Sequence, residues 1–236
     1  MLHIGETQVN LGMPNAKVLY FGETKMGPII GESGEPTPGG TVLHLYDRVD
    51  GKATVAGFWT DGNGQRYAVC VVDAQYRSGK QYWSIDEVDT LLTNYNDSNI
   101  LSASESGTWN TDTILNNYNV SRYPAFNFAR NACTVTVDNK QFTSCLPNAR
   151  ELYNISKDKE TLDSYDTTAS SYSDKSLSSW FNNTPALTSN EYNYDRAYYC
   201  SKSSSIARYG RKSTNYYGVI PIFEIPVDEN GTVITI

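Results

Sequence analysis

The sequence predicts an α+β domain with mainly antiparallel strands and several short helices, preceded by a small β-hairpin anchor. Three observations predict it. Strand-like runs joined by Gly-containing turns come first, helix-like segments fill the middle, and β-branched runs close the chain. Four glycines and two prolines lie within residues 31–40, a composition that forms linkers rather than elements. The 236 residues suit one large domain with a short appendage. The expected layout is an attachment segment over 1–31, a linker over 32–40 and a domain over 41–236.

Within the first segment, Ile4-Gly5-Glu6-Thr7-Gln8-Val9 returns as Phe21-Gly22-Glu23-Thr24-Lys25-Met26. Apolar runs around a Gly-Glu-Thr turn read as two small hairpins. They are too small for a core of their own, so a partner or oligomer mates should cover them. After the linker, strands are expected over 41–46, 53–60 and 66–73. Their turns are Asp50-Gly51 and Asp61-Gly62-Asn63-Gly64. The second turn lacks the further oxygen ligands of a calcium loop.

Ser84-Ile85-Asp86-Glu87 reads as a capping box, with Val88, Leu91 and Leu92 continuing one helical face to about Tyr95. Further helices are expected over 111–118, 124–132, 148–157 and 175–181. Pro147 and Asn148 supply the start of the fourth. Residues 217–225 read as a buried strand. A last hairpin turns at Asn230-Gly231 into residues 233–236.

Composition excludes several classes. The net charge of −7 argues against nucleic-acid binding, and no apolar run approaches the roughly 20 residues of a membrane span. Aromatic residues at 12% argue against disorder. The start of the chain has neither the basic nor the apolar region of a secretory signal. Cys70, Cys133, Cys145 and Cys200 contain no CxxC pair, so zinc is not expected and free thiols are favoured; Cys133 and Cys145 could bridge if they flank a hairpin. With His3 and His44 the only histidines, a His-based triad or metal cluster is not expected. The carboxylate pairs Asp86/Glu87 and Asp163/Asp166 read as solvated charges rather than a glycosidase pair. No catalytic residue, metal or cofactor is assigned.

Binding is expected at residues 188–217. This stretch holds seven of the 18 tyrosines, with six Ser and three Asn. Five basic residues stand there against two acids, a local +3 that leaves −10 elsewhere. Tyr beside Ser and Asn gives rigid amphipathic contact area with adaptable hydrogen bonding. Tyr faces stack on sugar rings, and Arg binds carboxylates or phosphates. The candidate residues are Tyr192, Tyr194, Arg196, Tyr199, Arg208, Tyr209, Arg211 and Tyr216. The same tyrosines could instead pack between subunits or into the core. Adjacent Tyr198 and Tyr199 must face opposite sides of a strand, so at least one is expected to be structural.

Three stretches carry a resemblance. Gly107-Thr108-Trp109-Asn110-Thr111, then Tyr123-Pro124-Ala125 through Ala132-Cys133, then Cys145-Leu146-Pro147-Asn148-Ala149-Arg150-Glu151-Leu152 resemble bacterial and phage C-type-lectin-like domains. That fold is shared with formylglycine-generating enzymes and phage receptor-binding tips. Leu187-Thr188-Ser189-Asn190-Glu191-Tyr192 and Gly218-Val219-Ile220-Pro221-Ile222-Phe223 stand where the family has two later motifs. The likeness spans roughly residues 41–225. Cys145 replaces an aromatic residue, Asn148 a Ser and Ile220 an Arg, changes that keep the helix start and the strand. The calcium-lectin and copper-cysteine signatures are absent, so the resemblance implies the fold and not the enzymology.

The Gly-Glu-Thr repeat also resembles attachment segments of tailed-phage proteins. Together these imply a virion surface protein, a head fibre or decoration protein made in the host cytoplasm without a signal peptide. Residues 1–31 would dock on the capsid or another virion protein, and the head would bind a host cell-surface glycan as a homo-oligomer, trimer or dimer. No nucleic acid and no membrane insertion are expected. The alternatives are a tail receptor-binding protein, a structural decoration protein without ligand, and a glycan-active enzyme.

Overall fold

The structure, a computed structural model, describes residues 18–21, 24–28, 40–183, 185–200, 207–214 and 216–234, with the side chains of 18–28, Ser78, Ala207, Arg208 and Tyr216 left out. The chain divides into two compact units, residues 1–40 and 41–236. In the first, β1 (Val18–Phe21) pairs antiparallel with β2 (Thr24–Pro28), Phe21 opposite Thr24. The earlier Gly-Glu-Thr copy at 4–9, the linker at 32–39 and the last residues 235–236 lie outside the described residues.

The second unit is a mixed α+β structure whose strands are almost all antiparallel. One sheet has the order β13-β5-β4-β3, from β3 (Arg48–Val49), β4 (Ala53–Thr60), β5 (Arg66–Val72) and β13 (Ile222–Val227). Alternation sets its two faces. Ala68, Cys70, Val72, Phe223, Ile225 and Val227 point to one core, with Val135 and Val137 of β7 (Thr134–Val137), which pairs with β8 (Lys140–Thr143). Val69, Val71 and Ile222 point to the other. Helices α3 (Ala149–Lys157), α4 (Lys159–Tyr165) and α5 (Leu177–Asn183) cover that second face with Leu152, Leu162 and Trp180.

The other large sheet has the order β11-β10-β9-β12-β6, from β6 (Ser78–Tyr82), β9 (Ala186–Asn193), β10 (Arg196–Cys200), β11 (Ala207–Arg211) and β12 (Tyr216–Val219). Helices α1 (Gly107–Asn117) and α2 (Pro124–Asn131) pack on it around Trp83, Phe126 and Leu187. Gly218 of β12 lies where α5 crosses: a Cβ there would stand 2.5 Å from the Trp180 ring. Gly218→Ala is expected to destabilise by about 1–3 kcal/mol through overpacking. An unchanged urea midpoint would show that Trp180 yields freely.

Three sequence expectations need correction. Residues 41–46 make a single bridge, Val42 with Thr232, before the chain turns. Tyr46 takes a left-handed φ of 69° while Asp47 accepts from the His44 amide at 2.7 Å. Residues 217–225 are not one strand, since Ile220-Pro221 divides them between the two large sheets. Pro221 has no N–H for a ladder, and its carbonyl accepts from Val72 N instead. Third, residues 84–95 form no helix. The Ser84 hydroxyl accepts from Asp86 N, two residues on, giving a local turn in place of a cap. The donors and acceptors farther along are taken by tertiary partners described below.

Other elements follow their signals. Ser106 starts α1 by accepting from Trp109 N, and Asn148 with Glu151 forms a complete capping box on α3. Helix α4 carried no such start signal: Asp158 makes no side-chain cap. All four cysteines are free and buried, so Cys133 and Cys145 are not bridged. Asp61 Oδ1 accepts from the amides of Asn63 and Gln65, which makes 61–64 a plain turn.

Candidate binding face

The Tyr-rich stretch folds into β9, β10, the edge strand β11 and β12. Register on β10 and β11 sets Arg196 opposite Arg211, Tyr198 opposite Tyr209 and Tyr199 opposite Arg208. Side chains alternate across a strand, so Arg196, Tyr198, Tyr209 and Arg211 share one face. Tyr192 joins them: its ring stacks on that of Tyr209 at 4.0 Å and 9°. The Arg196 guanidinium stands 5.3 Å over the same Tyr209 ring.

Tyr198, which sequence reasoning left out of the candidates, is the pillar beneath this stack. It is fully buried, and its hydroxyl reaches Tyr95 O at 3.1 Å and Asp97 Oδ1 at 3.2 Å. Burial, then Asp97, pushes its phenol well above the ordinary range. Tyr192 is also raised, chiefly by Tyr209. Tyr194 projects from the β9–β10 turn and is 55% exposed. Tyr199 lies on the opposite face, 4.5 Å from the ring of Tyr217, whose pKa burial pushes up to about 12. It is therefore not part of the stack. The backbone sets Arg208 opposite Tyr199, and Tyr216 opposite Tyr82.

Behind the stack lies an ion pair of Glu191 with Lys212, both side chains 0% exposed. Lys212 Nζ also donates to Val88 O at 2.8 Å and Tyr194 O at 3.1 Å, and lies 4.8 Å over the Trp83 ring. Glu191 accepts from Thr90 N at 3.2 Å and Thr90 Oγ1 at 2.6 Å. Burial raises the Glu191 carboxyl and lowers the Lys212 ammonium, each opposed by the partner. These contacts occupy the backbone that a helix over 84–95 would need. The loop instead displays Ile85 (50% exposed), Val88 (45%) and Leu91 (62%), while Leu92 anchors it inside. Sequence reasoning counted Lys212 only among the five basic residues of 188–217; nothing in the spacing of residues 88, 191 and 212 brings them together.

The carboxylate pairs read from sequence are occupied. Asp86 binds Arg122, and Glu87 accepts from Ser213 Oγ at 2.7 Å. Asp163 caps α5 by accepting from Leu177 N and Ser178 N. Asp166 holds the buried Arg77 at 3.0 Å. His44 is exposed beside Asp47, and His3 lies outside the described residues. Among the described residues, no group of three or more His, Cys, Asp or Glu is placed to hold a metal ion.

A different carboxyl pair is closed inside. Glu224, on the helix-covered face of β13, accepts from Gly107 N at 3.2 Å and Thr108 N at 2.7 Å. Glu151 Oε2 accepts from Asn148 N at 2.7 Å. Burial, then Glu224, pushes the Glu151 carboxyl far above the carboxylate range. Burial and the like charge of Glu224 favour the protonated form of Glu151, whose Oε1 makes no hydrogen bond within the protein. Gly107 is required beside it, since a Cβ would lie 2.7 Å from Leu146 O and 2.9 Å from Glu151 Oε2. Glu151 is 2% and Glu224 7% exposed, and Glu151 lines a small pocket with Trp59, Val69 and Ile155.

No helix among the described residues is long and apolar enough to cross a membrane. Comparison with protein-family models, curated proteins and solved structures returned no match to this chain.

Proposed function

We propose that residues 41–236 are a C-type-lectin-like head of a virion surface protein, a capsid fibre or decoration protein, that binds host cell-surface glycans and catalyses nothing. Residues 1–31 attach it to the capsid, and copies assemble as a trimer or dimer, which multiplies weak sugar contacts. One observation carries the binding reading. The Tyr192–Tyr209 stack, with Arg196 above it, is a pre-ordered aromatic platform at a sheet edge beside the exposed Tyr194. Preorganisation lowers the entropy cost of binding. The buried Lys212 holds both Tyr194 O and Val88 O, tying the platform to the exposed apolar loop. The family-like motifs support the lectin-like reading, because they fall on helix starts: Gly107 opens α1, and Asn148 caps α3.

The test is adsorption of the full chain to intact host cells and to their isolated surface polysaccharide. Tyr192→Ala is expected to weaken adsorption about tenfold, since aromatic stacking contributes about 0.5–1.5 kcal/mol per copy beyond area. An unchanged circular dichroism spectrum keeps this distinct from unfolding. Undiminished adsorption would show that these tyrosines serve another purpose. Labelling of the tail tip in place of the capsid would make the chain a tail receptor-binding protein.

A further inference from the structure

Arg196 and Arg211 stand directly opposite each other across the β10–β11 ladder. Opposed residues on antiparallel strands have Cβ atoms about 4.5–5.5 Å apart, and like charges so placed repel. Sheets avoid this arrangement unless something offsets it. Asp195, the acid paired with Arg196, approaches Nε at 3.7 Å, beyond hydrogen-bond distance. The Arg196 side chain is 41% exposed and Arg211 is exposed. Both side chains thus reach solvent from opposed positions on the edge strand β11 and its neighbour β10, the Arg196 guanidinium lying over the Tyr209 ring. The aromatic stack lies one step along the same face, because Tyr209 is two residues from Arg211 on β11 and Tyr198 two from Arg196 on β10.

We propose that Arg196 and Arg211 form an oxyanion subsite, so that the ligand of this face is an acidic sugar whose charged group sits between them. Its ring lies on the Tyr192–Tyr209 platform. The inference rests on the glycan-binding reading and narrows it to a chemical class. Paired guanidinium groups match the two oxygens of a carboxylate, or those of a phosphate, with charge-assisted hydrogen bonds. The bound anion also removes the repulsion between the two arginines. The shared chemistry is an oxyanion on a ring or polyol; a uronic acid and a phosphodiester polymer are its two sources.

Equilibrium binding of the full chain to three probes separates the outcomes: a galacturonic-acid trimer, a neutral galactose trimer and a glycerol-phosphate oligomer. The acid trimer is expected to bind at least tenfold more tightly than the neutral one, with affinity falling as salt rises. Arg211→Gln should remove most of that preference, bringing the acid trimer's affinity down toward that of the neutral one. The same dependence on Arg211 with the glycerol-phosphate oligomer as the tighter ligand would identify phosphate as the source. Equal binding of acidic and neutral trimers, or a preference surviving in Arg211→Gln, would overturn the subsite and leave the glycan face standing. Absence of binding to all three, with cell adsorption also insensitive to Tyr192→Ala, would overturn both.

Discussion

Replacing Lys212 by methionine is expected to cost about 3–5 kcal/mol, because it leaves Glu191 as an unpaired charge in a closed interior. Lys212 and Glu191 are both fully buried, and between them they bind Val88 O, Tyr194 O and both donors of Thr90. The loss should lower the melting temperature by roughly 10 °C for a domain of this size. It should also free the 84–92 loop, visible as faster amide exchange at Thr90. Adding Glu191→Gln should recover much of the stability, since a neutral amide still accepts from Thr90. Glu191→Leu should recover less, because it leaves the Thr90 donors without an acceptor. A single-variant cost below 1 kcal/mol would mean that the pair does not hold the loop.

The second large effect depends on pH and centres on Glu151. Its folded pKa lies well above its unfolded value. The unfolded chain therefore gives up this proton first, near the ordinary carboxylate range of about 4.3. The stabilisation is full below that pH and is lost as pH rises toward the folded pKa. Glu151→Gln keeps a donor toward Glu224 and has no proton to lose. Its stability advantage over the wild-type protein should grow by up to about 1.4 kcal/mol per pH unit above pH 4.5. Glu224→Gln should behave differently: Oε1 and Oε2 each hold one amide, Gly107 N and Thr108 N, so a loss of about 1–3 kcal/mol is expected at low pH, shrinking as pH rises because the like charge beside Glu151 is gone. Urea titrations at pH 5, 6, 7 and 8 read both variants. Parallel curves for wild type and Glu151→Gln would place the proton elsewhere.

Local signals in the sequence located most of the regular elements. Strand β4 spans the expected 53–60, and β5 ends one residue short of the expected 66–73. Alternating apolar residues and an Asp-Gly turn suffice there. Helix α3 was legible from Pro147 and Asn148, though its second capping partner, Glu151, also serves the buried pair with Glu224. The failures share a cause. Ser84 to Glu87 satisfies the spacing rule for a capping box, but the segment's hydrogen-bonding groups are claimed by Glu191 and Lys212, about a hundred residues away. Such long-range competition leaves no trace in a local pattern.

The candidate face was legible as a composition and not as a geometry. Tyr192, Tyr209 and Arg196 stand together, with Arg211 paired opposite Arg196. Tyr199 does not, because a strand sends neighbours to opposite sides. The register that opposes Arg196 to Arg211 depends on a connection between β10 and β11 whose length alone does not determine pairing.

The four buried cysteines have a consequence for redox chemistry. Cys70 and Cys145 are raised far above a normal thiol by burial, Cys200 is pushed up to about 11, and Cys133 is raised as well. The reactive species in oxidation and exchange is the thiolate, which the raised pKa of each site disfavours. These thiols are therefore poor targets for aerobic oxidation, and the covalent state of residues 41–236 depends little on the redox poise of their surroundings. Durability toward oxidants comes from keeping sulfur out of reach rather than from cross-linking it.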